Sequence, residues 1–547
     1  MPSLPLLLTA GLALAAETPA TSLDSAPRAD ADQVRAHVEY LADDLLEGRQ
    51  SGTRGYDLAA LYVVSEFRAI GLEPGGPDGS WYQDVPFIRA RLTGTEAVAT
   101  VNGTATALAD EDYVITANAR GEEVAVDADV VFVGYGLDEP LLGHDDYAGK
   151  DVTGKIVIAI GGLPEGIEGD VAAHLSSAKA KTAAANGAVG FFEISRADDA
   201  RARNFIGYLR KNPKVDWIAP DGSPGSLPGA LQLSGILTKA GAEAVLGTDL
   251  TDHVEAARNG GAVAAVATDA SLAASVSSAH EAFTSPNVIA RLPGSDPELA
   301  DEHVIMSAHL DHVGVKPETR GEDKIFNGAL DNAAGIATML EAARLFTLAD
   351  KAPPRSVTFI ALSAEEMGLL GAYYYAAHPT VPTDRIVANV NLDMPVPLYD
   401  FTDVVAFGAQ YNSVAEKVAD AGASLGITVS SDPMPEQNIF VRSDHYAFAQ
   451  EGVPAILLFT GYANGGEEQW GAFFAERYHQ AGDDLSQPLQ WDALAKYADL
   501  NYRIAETIAA DEERPLWYAG TFFGDRFAPG DARATRPAAL DSASVNP

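Results

Sequence analysis

Five short stretches of this chain carry residue types that do chemistry: "SAHLDH" with His309, "NGALDNAAG" with Asp331, "SAEEMGLLGA" with Glu365 and Glu366, "NLDM" with Asp393, and "YHQAGDD" with His479. His309, Asp331, Glu366, Asp393 and His479 offer two imidazoles and three carboxylates. That set suits a pair of Zn²⁺ ions, one carboxylate bridging and two further protein ligands on each metal. Glu365 is then left over. A carboxylate beside a metal ligand, but not itself bound, can take the proton from an activated water as general base. The two neighbouring acids follow the apolar run "SVTFIAL" directly, a costly place for like charges unless something positive faces them. The chain has no cysteine, so disulfides, thiolate metal sites and cysteine nucleophiles are excluded. The full phosphate-loop pattern GxxxxGK[ST] is also absent.

Elements must exist to bring these residues together. From "SPNVIARLPG" onward, "HVIMSAHLDH", "SVTFIALSAEE", "IVANVNLDM" and "VPAILLFTG" are short apolar runs separated by helix-length segments such as "GIATMLEAARLFTLAD". Such alternation predicts an α/β fold, a mainly parallel mixed sheet flanked by helices. Functional groups in such sheets collect at the carboxyl ends of strands, and three of these four runs end in His or acidic residues.

Upstream, "HVEYLADDLLEGRQSGTRGYDLAALYVVSEFRAIGLEP" reads as two helical stretches broken by "GRQSGTRG". From about residue 96 the character becomes β-rich, with "VAVDADVVFVGYGL" and "GKIVIAIGG" as strands and "SSAKAKTAAANGAVGFFEI" as a helix leading into another. The expected organisation is a signal peptide at 1–16, the N-terminal part of the main domain at 17–95, a smaller insert at 96–285, the main domain at 286–510 and a tail at 511–547. Within the tail, "LWYAGTFFGDRF" is expected to dock on the body and the final stretch to fray.

Two resemblances sharpen this picture. The motifs "SAHLDHVG", "GALDNAAG", "SAEEMGLLGA", "NLDM", "RSDHYAFAQEGVPA" and "YHQAGDD", in that order over roughly residues 286–510, resemble the M28 zinc aminopeptidases. The stretches "VVFVGYGL", "DYAGKDVTGKIVIAIGG" and "KTAAANGAVGFFEIS" resemble a protease-associated (PA) domain inserted in a larger enzyme. The first resemblance implies one zinc on His309 and Asp393, another on Glu366 and His479, and Asp331 bridging. It implies Glu365 as base, Asp311 as the aspartate that orients His309, and Tyr478 as a hydrogen-bond donor to the tetrahedral oxyanion. His312 and His445 are expected beside the ligands or the substrate, Asp444 as an order-giving loop residue, and His303 and His378 as structural. The departures from the pattern, Ala334 and Pro395, touch no ligand.

The remaining signals bound the function class. A formal net charge of −40 and a pI near 4.4 disfavour nucleic acid and anionic membrane surfaces as partners. The leading "MPSLPLLLTAGLALAAETPA" has signal-peptide length and a small-residue cleavage pattern, which predicts export to the periplasm or the extracellular space. No later run is long enough to span a bilayer. The expectation is an exported dinuclear zinc aminopeptidase acting on peptides. The alternatives are a carboxypeptidase, with Arg442 for the substrate carboxylate, a glutaminyl cyclase of the same fold, or a non-catalytic binding protein.

Overall fold

The apolar runs that read as buried strands are strands, and every residue in the four of them is buried. The computed structural model describes residues 27–227 and 229–537; the expected signal peptide and the end of the tail lie outside them. The main sheet includes, in chain order, β1 (Tyr82–Val101), β2 (Tyr113–Ile115), β3 (Glu123–Phe132), β4 (Ile156–Ile160), β5 (Gly190–Ile194), β6 (Leu233–Leu237), β7 (Ser271–Leu292), β8 (His303–His309), β9 (Ser356–Leu362), β10 (Ile386–Asn391), β11 (Asp403–Phe407), β12 (Thr428–Ser430) and β13 (Ala455–Thr460). Its spatial order is β12-β11-β13-β10-β8-β9-β7-β3-β4-β5-β6-β2.

The centre, β13-β10-β8-β9, is parallel throughout. Parallel strands are covered on both faces, which is why their sequences are near-continuous Val, Ile, Leu and Ala. The helices of the larger half include α1 (Ala31–Leu41), α2 (Arg54–Ala69), α4 (Ala334–Leu348) and α5 (Trp491–Ala510), while α3 (Gly169–Ala185) belongs to the smaller half. Asp30 and Thr53 cap α1 and α2 through their side-chain oxygens. Helix α4 is buried nearly all round, between the sheet, α1 and α5. Its start sits so close to β10 that a Cβ on Gly335 would meet Leu392 O at 2.4 Å.

The expected boundaries at 95/96 and 285/286 fall inside two long strands. β1 and β7 pair antiparallel from Tyr82↔Val288 to Thr100↔Ser271. The far end of β7 pairs with β9, and its near end with β3 of the smaller half. That half has its own apolar core, including Phe132, Ile158, Phe192 and Leu237, around the parallel strands β3 to β6.

Helix α3 of the smaller half also docks on the larger one. The Asp170 carboxylate accepts from Tyr411 OH at 2.8 Å. His174 hydrogen-bonds Tyr446 OH within a ring of Phe522, Phe523 and Phe527. The tail segment docks as expected: Trp517 is buried and donates to Gly452 O at 2.7 Å. No described helix is long and apolar enough to cross a membrane.

Burial raises the Asp170 pKa from 3.8 to about 6, against the lowering effect of the Tyr411 hydrogen bond. A carboxyl whose folded pKa is raised contributes most below its unfolded pKa, and that contribution is lost as pH rises through the folded value. Asp170→Asn, which keeps an acceptor for Tyr411, is therefore expected to be more stable than wild type at pH 8 by about 1–3 kcal/mol. At pH 4 it should show no gain. Thermal melts at the two pH values check this, and an equal effect at both would exclude ionisation as its cause.

Candidate metal centre

Neighbouring parallel strands end together, and that places the chemistry. His309, the last residue of β8, pairs in register with Leu362 at the end of β9, and Ser307 pairs with Asn391 at the end of β10. Glu365 and Glu366 follow β9, and Asp393 follows β10, so all emerge at one edge. Asp331 joins them from the segment leading into α4, and His479 from the loop after Tyr478. Four non-glycine residues with positive φ adjoin these positions: Ala364 (57°), Met394 (43°), Val396 (42°) and His479 (54°). Strain of this kind persists where the surroundings force it, and it concentrates at functional sites.

Asp331 occupies the middle. Its Oδ1 lies 3.2 Å from His309 Nε2, and its Oδ2 lies 3.2 Å from His479 Nε2. His309 Nε2 is also 3.2 Å from Asp393 Oδ1, and His479 Nε2 is 3.1 Å from Glu366 Oε2. The ligand atoms of His309, Asp331 and Asp393 form one compact group able to hold a metal ion, and those of His312, Asp331 and Glu366 form another. All five residues expected from the sequence as metal ligands are thus neighbours.

His312 stands closer than the sequence reading placed it. It is fully buried, and its Nδ1 lies 2.6 Å from Glu366 Oε1 and 3.9 Å from Asp331 Oδ2. The short approach lacks hydrogen-bond alignment, so both ring nitrogens and Glu366 Oε1 are buried without a hydrogen-bond partner. Buried orphaned donors and acceptors of this kind ask for a further partner. The signal was the second imidazole of "HLDH", three residues after His309.

The electrostatics fit a cation. Burial alone would lower the His309 pKa, yet Asp393, Glu365 and Asp331 hold it well above the ordinary value. Burial likewise opposes protonation of His479, and Asp331 and Glu366 outweigh it to push its pKa up to about 10. Burial works to raise Asp331, while hydrogen bonds from His309 and His479 hold it well below the usual carboxylate range. The imidazolium protons thus do the work that a metal ion does when it binds and displaces them. Nitrogen and carboxylate donors without sulfur suit Zn²⁺.

Glu365 behaves differently from its neighbour. Burial, reinforced by Glu366, Asp444 and Asp393, lifts its pKa well above 4.5 despite the opposing His309. For Glu366, burial and Asp331 push upward, but His312 and His479 bring the net shift below the ordinary value. The adjacent carboxyls therefore differ in proton affinity, the property that separates a proton acceptor from a ligand.

The supporting residues divide the work unexpectedly. The Asp311 carboxylate does not hydrogen-bond His309: the closest approach is 4.0 Å, and His309 Nδ1 instead faces the Asp311 backbone carbonyl at 3.1 Å. That carboxylate accepts the backbone N–H groups of Glu365 (3.1 Å) and Glu366 (3.4 Å). Asp483, in the quoted "YHQAGDD" but given no role from sequence, accepts the N–H groups of Leu330 and Asp331. Ser443 Oγ donates to Asp393 Oδ2 at 2.6 Å. Asp444 makes no side-chain hydrogen bond and so does not tie its loop; burial pushes its pKa up to about 8. His445 is also unpartnered, and burial drives it down to about 3. His303 bonds Thr358 and takes no part in the centre.

The pocket above these groups has an apolar wall of Met394, Ile439, Leu457, Phe459 and Phe474. Tyr478 lines it too, stacked on His479 with ring centroids 3.9 Å apart. Burial, aided by Asp331 and Glu365, raises the Tyr478 pKa, so its phenol remains a donor at neutral pH. Arg442, at the rim, donates to the Gln437 side chain at 3.0 Å.

This region of the chain is similar to known proteins. Residues 287–505 match the model of peptidase family M28. The chain is 28% identical over 226 residues to a probable leucine aminopeptidase 2 of Aspergillus oryzae, covering 39% of this chain and 42% of that one. It is 29% identical over 215 residues to leupeptin-inactivating enzyme 1 of Streptomyces exfoliatus, covering 37% and 44%. The matched part thus spans less than half the length of these relatives. An aminopeptidase structure from Aneurinibacillus sp. strain AM-1 aligns over 89% of this chain and 96% of its own, at 21% identity and a TM-score of 0.48. The part of the chain that carries the candidate metal centre is thus the part that matches peptidase family M28.

Proposed function

We propose that the protein is an exported dinuclear zinc aminopeptidase that removes N-terminal residues from peptides. The observation that carries the reading is Asp331, which turns one carboxylate oxygen to each of two histidines. His309 and Asp393 would hold one zinc, and Glu366 and His479 the other, with Asp331 between them and His312 a further nitrogen on the second side. Bound there, the ions would polarise the scissile carbonyl and acidify water. Glu365 takes the proton of the attacking water and delivers it to the departing amine, a task matched to its raised proton affinity. Tyr478 donates its phenolic proton in a hydrogen bond to the carbonyl oxygen as negative charge gathers on it. The apolar wall from Met394 to Phe474 receives the side chain of the leaving N-terminal residue, so Leu, Met and Phe are the expected preferences.

The smaller half, read as a PA-like domain, would restrict entry to short peptides. The apolar leader supports export.

The test compares aminoacyl substrates carrying a free amine with their N-acetylated counterparts, on zinc-loaded and chelator-treated protein. Free-amine substrates should be cleaved only with metal, and acetylated ones not at all. Release of C-terminal residues from acetylated peptides would instead assign a carboxypeptidase, with Arg442 meeting the terminal carboxylate.

A further inference from the structure

The turn between α1 and α2 lies outside the family match, yet it touches three of the loops that carry the metal centre. Arg49 is 1% exposed and directs its guanidinium entirely at backbone carbonyls. Nε donates to Leu310 O at 2.9 Å, one residue after His309. Nη1 donates to Asn327 O at 2.6 Å and Nη2 to Gly328 O at 3.1 Å, on the segment leading to Asp331. Nη1 also reaches Leu41 O at the end of α1. Two residues on, Ser51 Oγ accepts the backbone N–H of Ala364 at 2.8 Å and meets Ser363 Oγ at 2.8 Å, just before Glu365.

The backbone of the turn is forced into this position. Glu47, Gly48 and Arg49 all have φ between 50° and 66°, and a Cβ on Gly48 would come within 2.2 Å of Phe326 O. A folding chain tolerates such strain where surrounding contacts over-determine it. Burial pulls the Arg49 pKa down to about 10, opposed by Asp483, Asp311, Asp331 and Glu366, so it is a cation at neutral pH. A planar fork of donors can hold several carbonyls in fixed relative positions, and a lysine cannot.

We propose that Arg49 and Ser51 are positioning residues of the metal centre: together they clip the His309, Asp331 and Glu365–Glu366 loops into one spatial relation. The inference rests on zinc binding at this centre, as the proposed function does, but not on the reaction. Neither residue touches the substrate pocket. Partners beyond the ligands orient them, and their loss typically weakens metal affinity about 10- to 100-fold.

The test measures zinc affinity by chelator competition, together with melting temperatures of metal-free and zinc-loaded protein, for wild type, Arg49→Met, Arg49→Lys and Ser51→Ala. Arg49→Met is expected to weaken zinc binding about 100-fold and Ser51→Ala about 10-fold. In both, the rise in melting temperature on loading should shrink, and Arg49→Lys should recover little of it. A purely structural role would lower both melting temperatures equally and leave zinc affinity unchanged; that result overturns the proposal. Should Arg49→Met fail to fold, Ser51→Ala carries the same measurement, and wild-type affinity in it decides against the clip. Wild-type protein that binds zinc without cleaving peptides defeats only the proposed reaction, whereas wild-type protein that binds none defeats both.

Discussion

Glu365→Gln is expected to lower kcat by about 10²- to 10⁴-fold while the protein keeps its metal. The amide matches the carboxylate in size and polarity but cannot accept a proton, so the water stays un-ionised and the leaving amine is not protonated. Substrate binding should change little, since the apolar wall and Tyr478 are untouched. Glu366→Gln tests the division of labour between the neighbours. It replaces an anionic donor 3.1 Å from His479 with a weaker neutral one, so metal content should fall and added zinc should partly restore turnover. Added zinc should not restore Glu365→Gln. Atomic spectroscopy and turnover with and without zinc check both variants; loss of metal by Glu365→Gln in place of Glu366→Gln would reverse the assignment.

Asp331→Ala is expected to abolish activity and to cut metal content at both positions together. Its two oxygens face His309 and His479 separately, whereas Asp393 and Glu366 each face only one of them, so neither replaces the carboxylate that serves both sides. Two cations held side by side would also repel once the anion between them is gone. The apo protein should suffer as well, because His309 and His479 each lose one of the carboxylates that hold their protons. Zinc stoichiometry by atomic spectroscopy is the readout. Two retained zincs with full turnover would rule out the bridge.

The half that carries the candidate metal centre is legible in the sequence for a physical reason. Strands β8, β9, β10 and β13 are buried on both faces, so their apolar runs stop abruptly where the sheet ends and polar chemistry begins. His309, Glu365, Glu366 and Asp393 sit at those stops, and the change of character marks them. The supporting contacts were hidden for the opposite reason. Arg49 bonds to backbone carbonyls up to 279 residues away, and Asp311 to backbone N–H groups 54 and 55 residues away. Backbone groups are the same in every residue, so no side-chain pattern announces such partners. The family resemblance pairs Asp311 with His309, while the fold turns its carboxylate to the next strand's loop. The sequence pattern places His312 beside the ligands or the substrate without choosing between them; the packed geometry puts it against Glu366. The extent of β1 and β7 was hidden too, since each changes its surroundings midway and its pattern of buried residues changes with them.

Those two strands give the molecule a spine. A domain joined by slack tethers can swing, but here the joint is itself a ladder of hydrogen bonds from Tyr82↔Val288 to Thr100↔Ser271. Twisting the smaller half about that axis strains the same strand, β7, that abuts β9 and the loop bearing the two glutamates. The two halves therefore share one continuous backbone, β7, which runs from the core of the smaller half to the strand that precedes Glu365 and Glu366.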